Sequence, residues 1–402
     1  MLRSIVLLLF TLFLLEAGER KSSAIAYLNT LRQEAGLIAL GPEKSLEKAA
    51  VSHAKYLLRQ QLYGHYEKKG RKGYTGRTPS DRALHAGYPS RAVMENVSVN
   101  ASNCHRSIDT LFAAIYHRFV FLNFDRNEIG TGSAFGKKNR RIVSAFVYLM
   151  GSSGISGLCR QYFELRNGVF YMNNLCKDPL QMVPQYLYEE KRESVRRKNA
   201  PVVLHPAPGA KGIRPVFYTE HPHPLPGSKV SGYPVSVQFN PAFYSSVKLR
   251  KFRLYDGKGK EVKKVRILTH SNDVNQRFTP FQFALMPLDR LDYAQTYRVD
   301  FEAVADGKRI RKSWKFTTKK FKEKLYTITK RRTTLKVKKG EKIVLFFKPR
   351  SNRDVLNCVN YTDKLGITCY DRNTLRISVP SKRFFSEYNL HAGKRSVILE
   401  ID

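Results

Sequence analysis

Gly64-His65-Tyr66-Glu67 stands directly after the second of two helical runs, and the residues on either side of it decide what kind of domain opens the chain. Upstream, from Ser22 to Leu62, apolar residues recur at three and four: Ile25, Leu28 and Leu31, then Leu46, Ala49, Ala50, His53, Ala54 and Leu57. That spacing predicts two helices, each with one face turned inward, and Gly41-Pro42 marks the break between them. Downstream, Gly64 to Pro89 is dense in Gly, Lys, Arg, Thr and Pro and predicts loop. A further helix is expected over Ile108 to Phe119. Ile129-Gly130-Thr131-Gly132-Ser133-Ala134 and Ile142-Val143-Ser144-Ala145-Phe146-Val147 then read as two strands of a hairpin.

The chain has 402 residues, more than one ordinary core organises, so several domains are expected. With 42% hydrophobic and 12% aromatic residues spread along the whole length, each domain can build a core, and a disordered reading fails. Met1-Leu2-Arg3, the apolar run Ile5 to Leu15 and the small pair Ala17-Gly18 match a secretory signal, residues 1–18, that is too short for a membrane span. An uncleaved anchor is the other reading of the same run, since Glu16 is a poor neighbour for a cleavage site. The chain is therefore expected to be secreted or periplasmic.

Export suits the five cysteines. Cys159 and Cys176 flank a stretch in which Asn167-Gly168 separates alternating residues, which predicts a hairpin crossed by a disulfide. Cys358 and Cys369 bracket a short turn-containing stretch and predict a second bridge; five buried free thiols are the other reading of the same cysteines. Cys104 is left over. None of the five has C-x-x-C or zinc-finger spacing.

The formal net charge is +38, with basic residues thickest over Lys191 to Lys198, Lys248 to Lys264 and Lys319 to Lys342. Spread this way they read as solvated faces rather than a reading head, yet a field of this sign draws a protein to anionic surfaces or polymers. For an exported chain these are envelope polymers or lipid head groups. No DNA- or RNA-binding motif is present, so a specific nucleic-acid partner is not expected.

Beyond Gly157 the pattern changes. Asn199 to Pro226 is proline-rich and reads as linker or extended wrap, the alternation His221-Pro222-His223-Pro224 as a stiff connector. From Val235 to Thr318 the period is two, with turns at Asp256-Gly257 and Asp306-Gly307, which predicts an immunoglobulin-like antiparallel sandwich. Leu335 to Asp402 repeats the pattern as a small second β-domain. The expected boundaries are 19–155 for the first domain, 156–205 for a disulfide hairpin and basic linker, 206–320 for the sandwich and 321–402 for the last domain.

Chemistry-bearing residues cluster in the first domain: Gly64-His65-Tyr66-Glu67, then Gly76-Arg77-Thr78-Pro79-Ser80-Asp81-Arg82, Gly87-Tyr88, Glu95-Asn96-Val97, Tyr116-His117-Arg118 and Ile129-Gly130-Thr131-Gly132. In order and spacing these pieces resemble the bacterial branch of the CAP superfamily, which includes cysteine-rich secretory and pathogenesis-related proteins (the SCP domain), over about residues 22–150. The resemblance implies an α/β fold, an α-β-α sandwich, whose groove collects His65, Glu95 and His117. Relatives often carry another Glu three residues before the second His; here that position is Ala114, and Glu67 is the one nearby substitute.

Two neutral imidazoles and a carboxylate can hold a zinc-like cation with a water beside it, which makes His65, His117 and Glu95 a candidate metal set. The competing reading is structural: Glu95 accepts hydrogen bonds from His65 and backbone amides, His117 caps its helix, and Asp81 pairs with Arg82 to close a loop. His53 reads as a core residue behind the site. P-loop, G-x-S-x-G, dinucleotide and kinase signatures are absent. The reading favoured is a non-enzymatic binding protein for a lipid or cell-envelope component, with the β-domains adhering to anionic surfaces. The alternative is a divalent-metal-dependent hydrolase of peptide or cell-wall substrates.

Overall fold

The computed structural model describes residues 23–137, 139–356, 359–361, 364–382 and 384–402; the expected signal segment and Cys358 lie outside the described residues. Helix α1 spans 23–34. It is followed by β1 (Gly41–Pro42), α2 (Lys44–Gln60), α3 (Pro79–Ala86), β2 (Met94–Val99), α4 (Cys104–Ala113), α5 (Ile115–Phe121), β3 (Glu128–Phe135) and β4 (Ser144–Gly151). The four strands form one sheet in the order β1-β3-β4-β2, so β2 is an edge.

Alternation along the central strand β4 explains the layering. Val147 and Leu149 pack with Leu46, Ala50, Ala54 and Leu57 of α2. Phe146, Tyr148 and Met150 pack with Leu28 of α1, Phe112 of α4 and Phe121 of α5. Side chains on a strand point to opposite faces in turn, so a strand buried along its full length needs helices on both sides. The result is the expected α-β-α sandwich. Gly130 and Gly132 let the helix close on the sheet: a Cβ at Gly130 would lie 2.0 Å from the Leu46 carbonyl carbon, and one at Gly132 2.2 Å from that of Ala50. The helix predicted over Ile108 to Phe119 is two helices, because Ala114 is extended (φ −88, ψ 115).

The segment after the sandwich is more ordered than its composition predicts. Following α6 (Ser153–Leu158), the Cys159–Cys176 disulfide is formed. No hairpin turns at Asn167-Gly168, however, and the residues between Cys159 and β5 carry no strand. Instead β5 (Tyr171–Met172) pairs with β6 (Val183–Pro184). The basic stretch expected as linker is helix α7 (Gln185–Arg196), anchored by Arg192 and Arg196 to Asp125 at 3.2 and 2.5 Å.

The second module also begins earlier than position 206. Strand β7 (Val202–His205) pairs with β8 (Val235–Phe239), its Val203 and His205 buried, so the proline-rich composition hid a strand just ahead of Pro206. With β9 (Val247–Tyr255), β10 (Val265–Leu268), β11 (Gln282–Pro287), β12 (Thr296–Ala305) and β13 (Lys308–Thr317), it builds two antiparallel sheets ordered β10-β11-β8-β7 and β13-β12-β9. Val235, Val237 and Phe239 face Phe252, Phe301 and Trp314 across the core. The turn at Asp306-Gly307 has both residues at positive φ (47 and 78), as a two-residue hairpin requires.

Among the described residues, eight further strands make the last module: β14 (Lys324–Ile328), β15 (Arg332–Val337), β16 (Lys342–Phe347), β17 (Val359–Tyr361), β18 (Gly366–Asp371), β19 (Thr374–Ser378), β20 (Glu387–Ala392) and β21 (Arg395–Ile401). They form sheets ordered β14-β16-β19-β18 and β15-β21-β20-β17. Strands β17 and β18 therefore lie in different sheets, so the chain crosses over where a bridged hairpin was expected. Cys369, on β18, is an exposed free thiol, which corrects the expected Cys358–Cys369 bridge.

The modules share apolar cores. Ala114, Ile115 and Phe119 of the first pack with Phe217, Leu268, Phe278 and Met286 of the second. Arg290 and Asp371, 2.8 Å apart and buried, join the second to the third. Among the described residues no helix is long and apolar enough to cross a membrane.

Candidate functional site

The edge strand β2 places Glu95 and Asn96 on opposite faces of the sheet, and the site forms where the two faces meet around that edge. Helix α2 ends at Gln61 in a left-handed cap (φ 58), and Gly64 (φ 103) turns the chain back along the helix. Left-handed backbone suits Gly, which has no Cβ to clash. The reversal sets His65 beside Glu95, Nδ1 to Oε1 at 3.0 Å.

Helix α3 supplies the cation that makes a buried Glu95 possible. Its start is fixed by a capping box between Thr78 and Asp81, with Pro79 in the first turn. The next residue, Arg82, is fully buried and donates from Nη2 to both Glu95 oxygens, at 2.9 and 2.8 Å, and from Nη1 to the His65 carbonyl at 2.9 Å. Burial alone would raise the Glu95 carboxyl. The hydrogen bond from His65 and the charge of Arg82 overcome it and hold the group below its ordinary range. Asp81 is spent on the capping box and lies 3.6 Å from Arg91, so the expected Asp81–Arg82 pair is not the one that forms.

Glu67 does not join the cleft. It lies one layer deeper, accepting from His53 Nδ1 at 2.9 Å and from the Thr75 amide at 2.7 Å. His53 uses its other ring nitrogen on the Gly64 carbonyl at 3.0 Å, so both of its nitrogens are committed inside the protein. It is the core residue the helical pattern predicts.

From the other face, α5 brings His117. Its ring lies parallel to that of His65 within 25°, centroids 6.5 Å apart. The Asn96 side chain fixes the local backbone by donating to the His117 carbonyl at 2.9 Å. The partner of His117 Nδ1 is Glu220 at 2.9 Å, a residue of the proline-rich stretch that sequence reasoning passed over as connector. The one signal was negative, the absence of an acid at position 114.

The structure thus brings His65, Glu95 and His117 together, but not as three ligands. Both Glu95 oxygens face Arg82, and one also faces His65. Among the described residues, no group of three or more His, Cys, Asp or Glu side chains is placed to hold a metal ion. What the cleft offers is two imidazoles, each tied through Nδ1 to a carboxylate, which leaves Nε2 of each as the atom for a ligand.

The profile of the cysteine-rich secretory protein family, CAP, matches residues 25–150. This part of the chain is a CAP domain. Two solved bacterial structures are similar to it. An outer surface protein of Borrelia burgdorferi is 21% identical over 33% of this chain and 92% of its own length, with a TM-score of 0.29. An extracellular SCP-domain protein of Bacillus anthracis is 16% identical over 33% of this chain and 40% of its own, with a TM-score of 0.28. Comparison with curated proteins gives no match. The CAP domain here departs from the expected acidic pattern at Ala114, where the carboxylate comes instead from outside the matched residues.

Proposed function

We propose that this is an exported binding protein whose CAP cleft holds a lipid or cell-envelope ligand between His65 and His117, while the basic β-modules, the first of them immunoglobulin-like, adhere to anionic surfaces. One observation carries the reading: two imidazoles, each oriented by a carboxylate, stand 6.5 Å apart between ring centroids, with the His65 side chain 36% and the His117 side chain 16% exposed. A carboxylate only accepts, so each Nδ1 bears the proton and each Nε2 presents a lone pair to a donor on the ligand. The charge of +38 supports the adhesive part.

The same geometry favours a second reading. Histidines that ligate metals usually donate their other nitrogen to a carboxylate, so a zinc-like cation held by His65 and His117 fits the donors, with Glu95 and Glu220 behind them. Bound there, such an ion would acidify a coordinated water, the chemistry a hydrolase of peptide or wall substrates would need. The two readings separate in one experiment. Purified full-length protein and its His65→Ala and His117→Ala variants are assayed for bound divalent metal and for retention of co-purified lipid or wall fragments. Retention lost in both variants without stoichiometric metal supports the first reading; stoichiometric metal lost in both supports the second; no effect of either change removes both. Adhesion is tested separately, by binding to anionic liposomes and wall polymer, which should weaken steeply as salt rises.

A further inference from the structure

We infer that Glu220 is a positioning residue of the cleft, and hence that the cleft is a two-module site, completed by a carboxylate from outside the CAP domain. Helix α5 starts abruptly after extended Ala114, which offers no side-chain oxygen to the first amides of the helix. Such amides need an acceptor from elsewhere. Glu220 provides it across more than a hundred residues: Oε1 accepts from the Ile115 amide at 2.7 Å and Oε2 from the Tyr116 amide at 3.1 Å. The same Oε2 accepts from His117 Nδ1 at 2.9 Å. One side chain thus starts the helix and sets the tautomer of the imidazole that the helix carries.

The placement is held from several directions. Phe217 and Leu225, on either side of Glu220 in sequence, pack with Ile115 and Phe119. Tyr116 hydrogen-bonds Asp273 and accepts from Asn275 Nδ2 at 2.9 Å, and Asn275 also donates to the His223 carbonyl at 2.9 Å. The Glu220 side chain is only 1% exposed, so its bonds do not compete with water. His65 is treated the same way by Glu95, but from inside the CAP domain. The chemistry on the two sides of the cleft matches; the source of the carboxylate does not.

The inference rests on the cleft being a binding site, and its test separates the two. Full-length protein labelled with ¹⁵N-histidine is compared with Glu220→Gln and Glu220→Ala by long-range ¹H–¹⁵N correlation, with zinc binding by calorimetry as the probe of the cleft. Gln keeps the volume and an acceptor for the Ile115 amide, but an NH2 turned toward His117 replaces the oxygen that also accepts from the Tyr116 amide. We expect His117 in the wild type as the Nδ1–H tautomer, lost in both variants, with zinc affinity falling about 10- to 100-fold. The Gln variant stays folded with a lower melting temperature, because the Tyr116 amide loses its acceptor; the tautomer of His117 is the readout that a merely structural role for Glu220 does not move. If Ala prevents folding, Gln alone decides. His117 retaining the Nδ1–H form in a folded variant overturns the inference. A tautomer change with no zinc binding by any of the proteins upholds Glu220 as positioning residue and removes the cation reading of the cleft.

Discussion

Arg82 and Glu95 meet through two hydrogen bonds of 2.9 and 2.8 Å with both side chains closed to water. Breaking such a pair from one side leaves the Glu95 charge buried with the His65 hydrogen bond but without its cation, which costs about 3 to 5 kcal/mol. Arg82→Met is therefore expected to destabilise the protein by that amount, read as a lower urea midpoint at neutral pH. A loss below about 1 kcal/mol would mean that Glu95 finds another partner.

Acid should act on the same pair. The folded-state pKa of Glu95 is held below its ordinary 4.5, so its contribution to stability is present above that value and is lost as pH falls through the folded one. Asp371 behaves alike. Burial would raise its carboxyl, but the charge of Arg290 and hydrogen bonds from Arg290 and Tyr218 pull it well below 3.8. Urea midpoints measured from pH 7 to pH 2 should fall below about pH 4.5, and Arg290→Met should flatten the acid end of that curve. A profile that rises toward acid contradicts both assignments.

The packing of α2 on β3 allows no methyl group at Gly130. The 2.0 Å approach is to helix backbone, which cannot rotate aside as a side chain can. Overpacking of this kind costs about 1 to 3 kcal/mol, and more where backbone must move. Gly130→Ala is expected to lose about 3 kcal/mol or more, seen as a lower melting temperature by circular dichroism. Gly157→Ala, where nothing lies within 4 Å, is the control and should melt near the wild type.

The disulfide closes a loop of 17 residues in sequence separation. Replacing Cys159 and Cys176 by Ser is expected to cost about 3 kcal/mol, chiefly through the entropy that the bridge removes from the unfolded chain. The same double variant should become sensitive to limited proteolysis between Arg160 and Phe170, where the chain carries no helix and no strand. Unchanged proteolysis would show that β5 and β6 hold the segment without the bridge.

The CAP domain was legible because its signals are local. Helical spacing marked the buried face of α2, and the order of short motifs placed His65, Glu95 and His117 in one cleft. Arg82 was noticed but given the wrong partner, since its neighbour in the chain is Asp81 while its neighbour in space is Glu95, on a strand that only the folded sheet brings near. Glu220 was invisible for the same reason in stronger form: nothing in a proline-rich stretch announces that it crosses to the start of another helix. The break at Ala114 was missed because apolar spacing continues through it. In the β-modules alternation found the strands, but not which sheet each joins, and so a cysteine bridge was expected across what is a crossover.

Phe119 resting edge-on against Phe278, 5.1 Å between ring centres, has a consequence for how such a chain can be divided. A fragment cut to the residues that resemble the family would carry Ile115 and Phe119 bare to water and would start α5 on uncapped amides. It would tend to self-associate through that stripe. Any reshuffling of these modules, in the laboratory or over evolutionary time, has to move the first two as one piece.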